Sequence, residues 1–581
     1  MRVGLRSLRN ICVLFIGLSV GAASAFPDSE PQSRETLTSL LDHDYPRLVV
    51  VMSFDQFRAD YLTRFSDLFV PAAGAGGSVG GFRYLLEHGA FHVDAHYNHV
   101  PMHTGPGHAT IMTGAAPNGS GIVGNEWLTT DCRSLNCVED NSLRTIGGPQ
   151  RPMQRGGSGP TNLLADTVCD SLRMSNNFQS KVVGIAIKDR GAILMAGHNP
   201  NGVVWYDSGI GRWVTSSYYT TGTLPKFAAR ANQERISERW FGKEWDYLLP
   251  KENYARSHPE GFKGAGNARG MDATFPKKLS DSSTKPDTNY FERLPYTPFA
   301  NEMIFETAKM AVVDEELGAD AIPDILCLSF SPNDYIGHVY GPNSAEVQDM
   351  TLRTDRYMAD FLNFLRLEIS GGLDSVVVVV TADHGAAPLA EYAGQGMKLD
   401  AGRYDGSLLT NAAEEALATR FPDKDTSNIV QMGEPFIYFR QSLLQERAID
   451  AAEARKAIAL RLRGMPGIFA AYTRDEIQNH QLLPSQISES VYNGFHPERS
   501  GDVLLLSKPF WYPTRNNTGS THGTGFNYDT HVPMVFAGSM IRPGLYTKRV
   551  DVRDIAPTLS VMLGISAPAS SQGVVLGDML K

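Results

Sequence analysis

From about Tyr45 onward, short apolar runs alternate with stretches of helical period along this chain. Val376–Val380 is five consecutive β-branched residues, the pattern of a strand buried on both faces. It runs into Thr381, with Asp383, His384 and Gly385 directly after. The same pattern recurs at Leu48–Phe54, which delivers Asp55, and at Ile325–Phe330, which delivers Asp334 and His338. Further strands are predicted over Val182–Ile187, Val203–Tyr206, Val503–Leu506 and Pro533–Ala537. After Asn343, the segment Asn-Ser-Ala-Glu346 has capping-box spacing, and Val347, Met350, Thr354, Tyr357, Met358, Phe361, Leu362 and Leu365 keep a helical period. Helices are also expected near Ile449–Arg463 and over Asp551–Leu563. Strands alternating with helices predict an α/β fold with a mostly parallel central sheet and helices on both faces. Two stretches interrupt the alternation, about residues 215–298 and 386–499, and read as inserted cap segments.

The first residues follow a different rule. Arg2, Arg6 and Arg9 precede a short apolar run, Ile11 to Ala22, and Ala23-Ser24-Ala25 has the small-x-small form of a signal-peptidase site. Residues 1–25 are therefore expected to be a cleaved signal peptide, with residues 26–581 the catalytic domain and a periplasmic or secreted location. No other stretch is long and apolar enough to span a bilayer, so no stable membrane insertion is expected. Loss of three arginines moves the formal charge from −10 to −13, which disfavours nucleic acid as a partner. Cys12 leaves with the signal. Cys132 and Cys137 share a polar loop that suits a small disulfide in an oxidising compartment, whereas Cys169 and Cys327 sit in apolar patterns and read as buried free thiols.

Chemistry concentrates where the strands end. In open α/β sheets, sites gather at the carboxyl ends of the strands, and carboxylate and imidazole donors suit zinc or a similar divalent ion. A second signal is His103-Thr104-Gly105-Pro106-Gly107-His108. Pro106 suits a first helical turn, Gly105 and Gly107 allow close approach of the backbone to a ligand, and Thr104 would stand at an anion-favouring helix N-terminus. Taken alone, the segment fits equally a threonine that only caps its helix. A third signal is Lys188-Asp189-Arg190 after the predicted strand Val182–Ile187. Two-residue alternation would put Lys188 and Arg190 on one side, facing a common oxyanion, and Asp189 on the other. By themselves such residues are ordinary solvated strand-end charges, and Asn125 an ordinary turn residue. His103, His108, His198 and His531 are candidates for supporting groups, and Trp205, Tyr206, Trp240 and Trp245 for core packing or a substrate wall.

In this order, Asp55, Thr104, Asp334-x-x-x-His338, Asp383-His384-Gly385 and Thr521-His522-Gly523 resemble the metal set of the alkaline phosphatase superfamily. The likeness runs from about Leu48 to Leu576. It implies an alkaline-phosphatase-like fold and two zinc ions per chain, one held by Asp334, His338 and His522, the other by Asp55, Asp383, His384 and Thr104. No Cys or Ser followed by x-Pro-x-Arg lies near Thr104, which sets the chain apart from sulfatases. Lys188 and Arg190, with Asn125, resemble the monoesterase branch of Thr-nucleophile, phosphate-irrepressible alkaline phosphatases. A monoester carries one more negative charge than a diester, which an added cation pair favours. The resemblance implies hydrolysis of small-molecule phosphate monoesters through a phosphothreonine, with Asn125, Lys188 and Arg190 binding substrate and no obligatory magnesium. The alternatives are a nucleotide pyrophosphatase/phosphodiesterase on the same metals and, from another class, a non-catalytic zinc- or phosphate-binding secreted protein.

Overall fold

The computed structural model describes residues 45–148, 157–281, 284–513 and 517–581. The expected signal peptide lies outside them. The central sheet is built on β1 (Leu48–Phe54), β2 (Gly89–His96), β3 (Val182–Ala186), β4 (Gly202–Asp207), β5 (Asp324–Phe330), β6 (Val376–Thr381) and β7 (His531–Ala537). Strands β6, β1, β5, β3 and β4 lie side by side in that order, all parallel. Beyond β6 the sheet turns antiparallel through β7 and then β2, and Arg212–Ser216 pairs antiparallel with β4. The sheet is thus mixed, with a parallel centre.

Hydrophobic burial explains the centre. Every residue of β1, β5 and β6 is buried. Val376 to Val380 are each at most 3% exposed, and burying one such side chain contributes on the order of 1.5–3 kcal/mol. Register then fixes the chemistry: Phe54 pairs with Phe330, and Ser53 with both Ser329 and Thr381. The three strands stop at one level, so the polar residues that follow them leave the sheet at the same edge.

The helices that matter for the site are α1 (Thr104–Thr113), α2 (Asp189–Ala196), α3 (Pro332–Tyr340) and α4 (Ala345–Glu368). The expected cap of α4 moves by one residue: Ser344, not Asn343, is the N-cap, its side chain accepting from the Val347 N–H. The helix expected over Asp551–Leu563 is a 3-10 turn, Val552–Asp554, followed by Ile555–Met562. Val503–Leu506 is a strand, Val503–Ser507, but outside the central sheet. It belongs to a separate four-stranded antiparallel sheet with Val430–Gly433, Phe436–Phe439 and Ile468–Thr473. Gly406–Arg420 and Ala451–Arg463 pack there around a second apolar cluster that includes Leu417, Ile437, Ile458 and Val503.

The expected Cys132–Cys137 disulfide is not formed, and both are buried free thiols. Glu126–Leu128 and Ser134–Asn136 make a hairpin, Cys132 lies in its turn at φ 61°, and Cys137 follows the far end of the second strand. Four residues lie between them, three of them the strand Ser134–Asn136, and an extended path of that length exceeds the ~7 Å Cα limit of a disulfide. Cys169 and Cys327 are buried free thiols as expected, with sulfurs 3.8 Å apart.

Candidate active site

Asp55 leaves β1, Asp383 and His384 leave β6, and Asp334 and His338 occupy one face of α3, four residues apart. Three histidines are oriented in one way. Nδ1 of His338 meets the Ser520 carbonyl at 2.8 Å, Nδ1 of His384 meets Gly385 O at 2.9 Å, and Nδ1 of His522 meets Met102 O at 2.5 Å. A carbonyl only accepts, so each Nδ1 carries a proton, which leaves Nε2 as the atom that could ligate a metal.

The donor atoms fall into two overlapping groups. Asp55, Asp383 and His384 present atoms within 4.8 Å of one another, and so do Asp334, His384 and His522. His338 Nε2 stands 3.0 Å from Asp334 Oδ1, and His522 Nε2 stands 3.6 Å from the same oxygen. Asp55 Oδ1, Asp383 Oδ2 and His384 Nε2 are buried with no hydrogen-bond partner, each carboxylate oxygen 3.5 Å from the imidazole nitrogen. Buried polar atoms are normally satisfied. Three that face one another unsatisfied fit a divalent cation.

Charge in this cluster is strongly coupled. Burial raises the Asp383 carboxyl, and the neighbouring Asp55 charge raises it further. Burial also works to raise Asp334, but His338, Lys188 and His522 outweigh it and hold that carboxyl well below its ordinary range. Burial drives His522 well below its ordinary value, with His384 and His338 adding to the effect, and lowers His103 to about 3.

Thr104 opens α1 and is buried, its Oγ1 3.4 Å from Lys188 Nζ. The Gly105 N–H donates to Asn125 Oδ1 at 2.8 Å, which brings the asparagine to the start of the Thr104 helix and leaves its Nδ2 unengaged by that bond. Gly107 serves packing rather than a ligand: a Cβ there would collide with the backbone and Cβ of Asp383. His108 is a supporting residue, its Nδ1 meeting Thr104 O at 2.8 Å and standing 3.2 Å from Asp383 Oδ2, with Nε2 on Ser329 Oγ at 2.8 Å. His103 adjoins His522, their ring centres 5.7 Å apart. His198 and His531 lie elsewhere, against Asp170 and against His96. Trp205, Tyr206, Trp240 and Trp245 are core residues.

Lys188 and Arg190 reach this neighbourhood by a route different from the one expected. The strand stops at Ala186, Lys188 is the residue before α2, and Arg190 lies in that helix's first turn. Strand alternation therefore does not align them. Lys188 Nζ makes 2.6 Å contacts with Asp55 Oδ2 and with Asp334 Oδ2. Burial would lower its pKa, but the two carboxylates outweigh that and raise it. Arg190 Nε is buried without a hydrogen-bond partner. Asp189 faces away as expected, accepting from Ser158 Oγ at 2.8 Å.

Gln56 was not singled out by the sequence. Its N–H donates to Asp383 Oδ1 at 3.0 Å and its Nε2 to Asp334 Oδ1 at 2.7 Å, so one residue ties the two acidic clusters together. It does so at φ 61°, a left-handed conformation uncommon for glutamine. Nothing in a sequence marks such a conformation on a non-glycine residue.

Residues 49–531 match the family of type I phosphodiesterases / nucleotide pyrophosphatases. A protein named calcium-transporting ATPase from Myroides odoratus is 33% identical, over 92% of this chain and 95% of its own. Alkaline phosphatase PhoV of Synechococcus elongatus is 34% identical, over 92% and 93%. Alkaline phosphatase PafA of Elizabethkingia meningoseptica is 32% identical, over 92% and 94%. A crystal structure of PafA superposes with a TM-score of 0.83, covering 92% of this chain and 99% of that one at 31% identity. A solved PafA variant carries replacements at a threonine, an asparagine, a lysine and an arginine, in that order along its chain.

Proposed function

This chain belongs to the type I phosphodiesterase / nucleotide pyrophosphatase family of the alkaline phosphatase superfamily, and we propose that it is an alkaline phosphatase, a zinc-dependent phosphate monoester hydrolase acting through Thr104. The observation that carries this reading is the meeting of a buried helix-start hydroxyl with a lysine, 3.4 Å away, beside the two acidic clusters. The four residue types replaced in the PafA variant occur here in the same order as Thr104, Asn125, Lys188 and Arg190, which supports the same quartet.

In this reading Asp334, His338 and His522 hold one zinc, and Asp55, Asp383, His384 and Thr104 the other. Bound there, the ions supply Lewis acidity to the attacking and leaving oxygens. The chain does the rest. Thr104 Oγ forms a bond to phosphorus as the bond to the leaving alcohol breaks, and water later splits the phosphothreonine. Asn125, Lys188 and Arg190 hold the non-bridging oxygens. Because the cation pair serves those oxygens, magnesium is not required. Residues 1–25 act as an export signal, and residues 26–581 form a periplasmic or secreted catalytic unit with insertions at about 215–298 and 386–499.

The description of the matched family favours a second reading, diester or pyrophosphate hydrolysis on the same site. Among the described residues no helix is long and apolar enough to cross a membrane. Rates on a matched aryl phosphate monoester and diester separate the two hydrolytic readings. The monoester is expected to dominate, and Arg190→Ala to shift the ratio of kcat/KM values toward the diester by about 1–3 kcal/mol of transition-state stabilisation. A wild-type preference for the diester would overturn the proposal.

A further inference from the structure

Lys188 does something that substrate binding alone does not account for. Its ammonium is 95% buried at the side chain and lies 2.6 Å from one oxygen of Asp55 and 2.6 Å from one oxygen of Asp334. Those carboxylates come from different elements, the end of β1 and helix α3, and belong to different donor groups. A third carboxylate, Asp383, is equally buried and faces His384, His108 and the Gln56 N–H. A carboxylate oxygen that accepts a short hydrogen bond from an ammonium offers less of its charge to a second cation, and two cations at one carboxylate repel. The lysine and a divalent ion therefore contend for the charge of the same two carboxylates, the lysine on Oδ2 of each while the histidine nitrogens face Oδ1.

Among the described residues, one further acceptor is in reach of the same ammonium, Thr104 Oγ1 at 3.4 Å. The Tyr335 ring, its centre 5.2 Å from Nζ, provides no carboxylate to hold the charge. If the carboxylates give their charge to metal, the lysine's remaining direction is the hydroxyl and any anion placed on it. This inference rests on the two-metal reading above: we infer that Lys188 competes with the metals for Asp55 and Asp334, so that metal loading is what turns the lysine toward the substrate's oxygens. Metal affinity and anion affinity are then coupled through one side chain.

The coupling has a sign that a purely structural lysine would not give. If Lys188 preorganised the ligands for metal, its removal would weaken zinc binding. If it competes, removal tightens zinc binding while the metal-stripped protein loses the cation that offsets its buried carboxylates. The experiment compares wild type, Lys188→Met and Lys188→Arg by zinc competition against a chromophoric chelator, by thermal unfolding with and without zinc, and by inorganic phosphate binding to stripped and loaded protein. In Lys188→Met, zinc affinity is expected to rise by about tenfold or more, and the melting temperature of the stripped protein to fall while that of the loaded protein holds. Lys188→Arg keeps the charge and should retain the stripped protein's stability. Phosphate should bind loaded wild type and not stripped wild type. If Lys188→Met folds only with zinc present, the competition stands; failure to fold in zinc as well counts against it. Equal or weaker zinc binding by Lys188→Met, with wild type taking up two ions, overturns the inference alone. Wild type that takes up no zinc overturns the metal reading, and the inference with it.

Discussion

Thr104 is an ordinary alcohol placed in an unusual setting. It is buried, it begins a ten-residue helix whose N-terminal N–H groups favour an anion, and a lysine ammonium stands 3.4 Å from its oxygen. Thr104→Ala removes the oxygen and little volume, so the fold should survive. Turnover of a phosphate monoester is expected to fall by at least about 10³-fold, with loss of any phosphorylated enzyme trapped by acid quench. Phosphate trapped on another residue would refute the assignment. At this scale the sequence was legible where a polar residue steps out of an apolar run, as Asp55, Asp383 and His384 do. At Lys188 and Arg190 the expected strand alternation was mistaken, since the strand ends at Ala186 and the two residues flank a helix start. Gln56 stayed hidden, because its role depends on a backbone conformation and on partners 278 and 327 residues away in the chain.

Among the elements, the short helix Asn527–Thr530 before β7 holds two loops at once, through Asp529. Its backbone carbonyl accepts from the Gly385 N–H at 2.7 Å, and its Oδ2 accepts from the N–H groups of Gly523 and Thr524 and from Thr524 Oγ1, at 3.1, 2.8 and 2.6 Å. The loops carrying His384 and His522 are thus tied to one residue. All three donors meet the same oxygen, so an alanine removes the whole set at once. Asp529→Ala is expected to fold and to release zinc to a chelator about 10–100 times more readily, the usual effect of removing a group that orients metal ligands. Unchanged release would show that the loops hold their own shape. The strands of the central sheet were readable because burial on both faces leaves an unbroken apolar run. Val503–Ser507 gave an equally clear strand signal but joined another sheet, because pairing partners are chosen by long-range packing that a local pattern does not encode. The spacing of Cys132 and Cys137 suggested a bridge for the same reason: the hairpin that separates them is a property of the pairing between Glu126–Leu128 and Ser134–Asn136.

For the molecule as a whole, buried acids away from the site set a pH dependence of stability. Asp355 lies on α4, 1% exposed, and accepts from the N–H groups of Val70 and Phe82 at 2.7 Å each. Burial raises its carboxyl to about 6, against those two hydrogen bonds. Asp324, at the start of β5, is likewise raised to about 6 by burial. In the unfolded chain such carboxyls titrate near 3.9. Between about pH 4 and pH 6 the folded protein therefore binds protons that the unfolded chain has released, and stability falls as pH rises through that window. The contribution is complete below the unfolded pKa and lost above the folded one. A shift of roughly two units corresponds to ~3 kcal/mol per group, at about 1.4 kcal/mol per unit. Asp355→Asn cannot ionise. Denaturant unfolding at pH 4, 5, 6 and 7 should show the variant weaker than wild type at pH 4, where one acceptor oxygen is lost. The difference should narrow by up to ~3 kcal/mol by pH 7, because only wild type then carries a buried charge. A difference constant across the four pH values would mean that Asp355 titrates alike in the folded and unfolded chains.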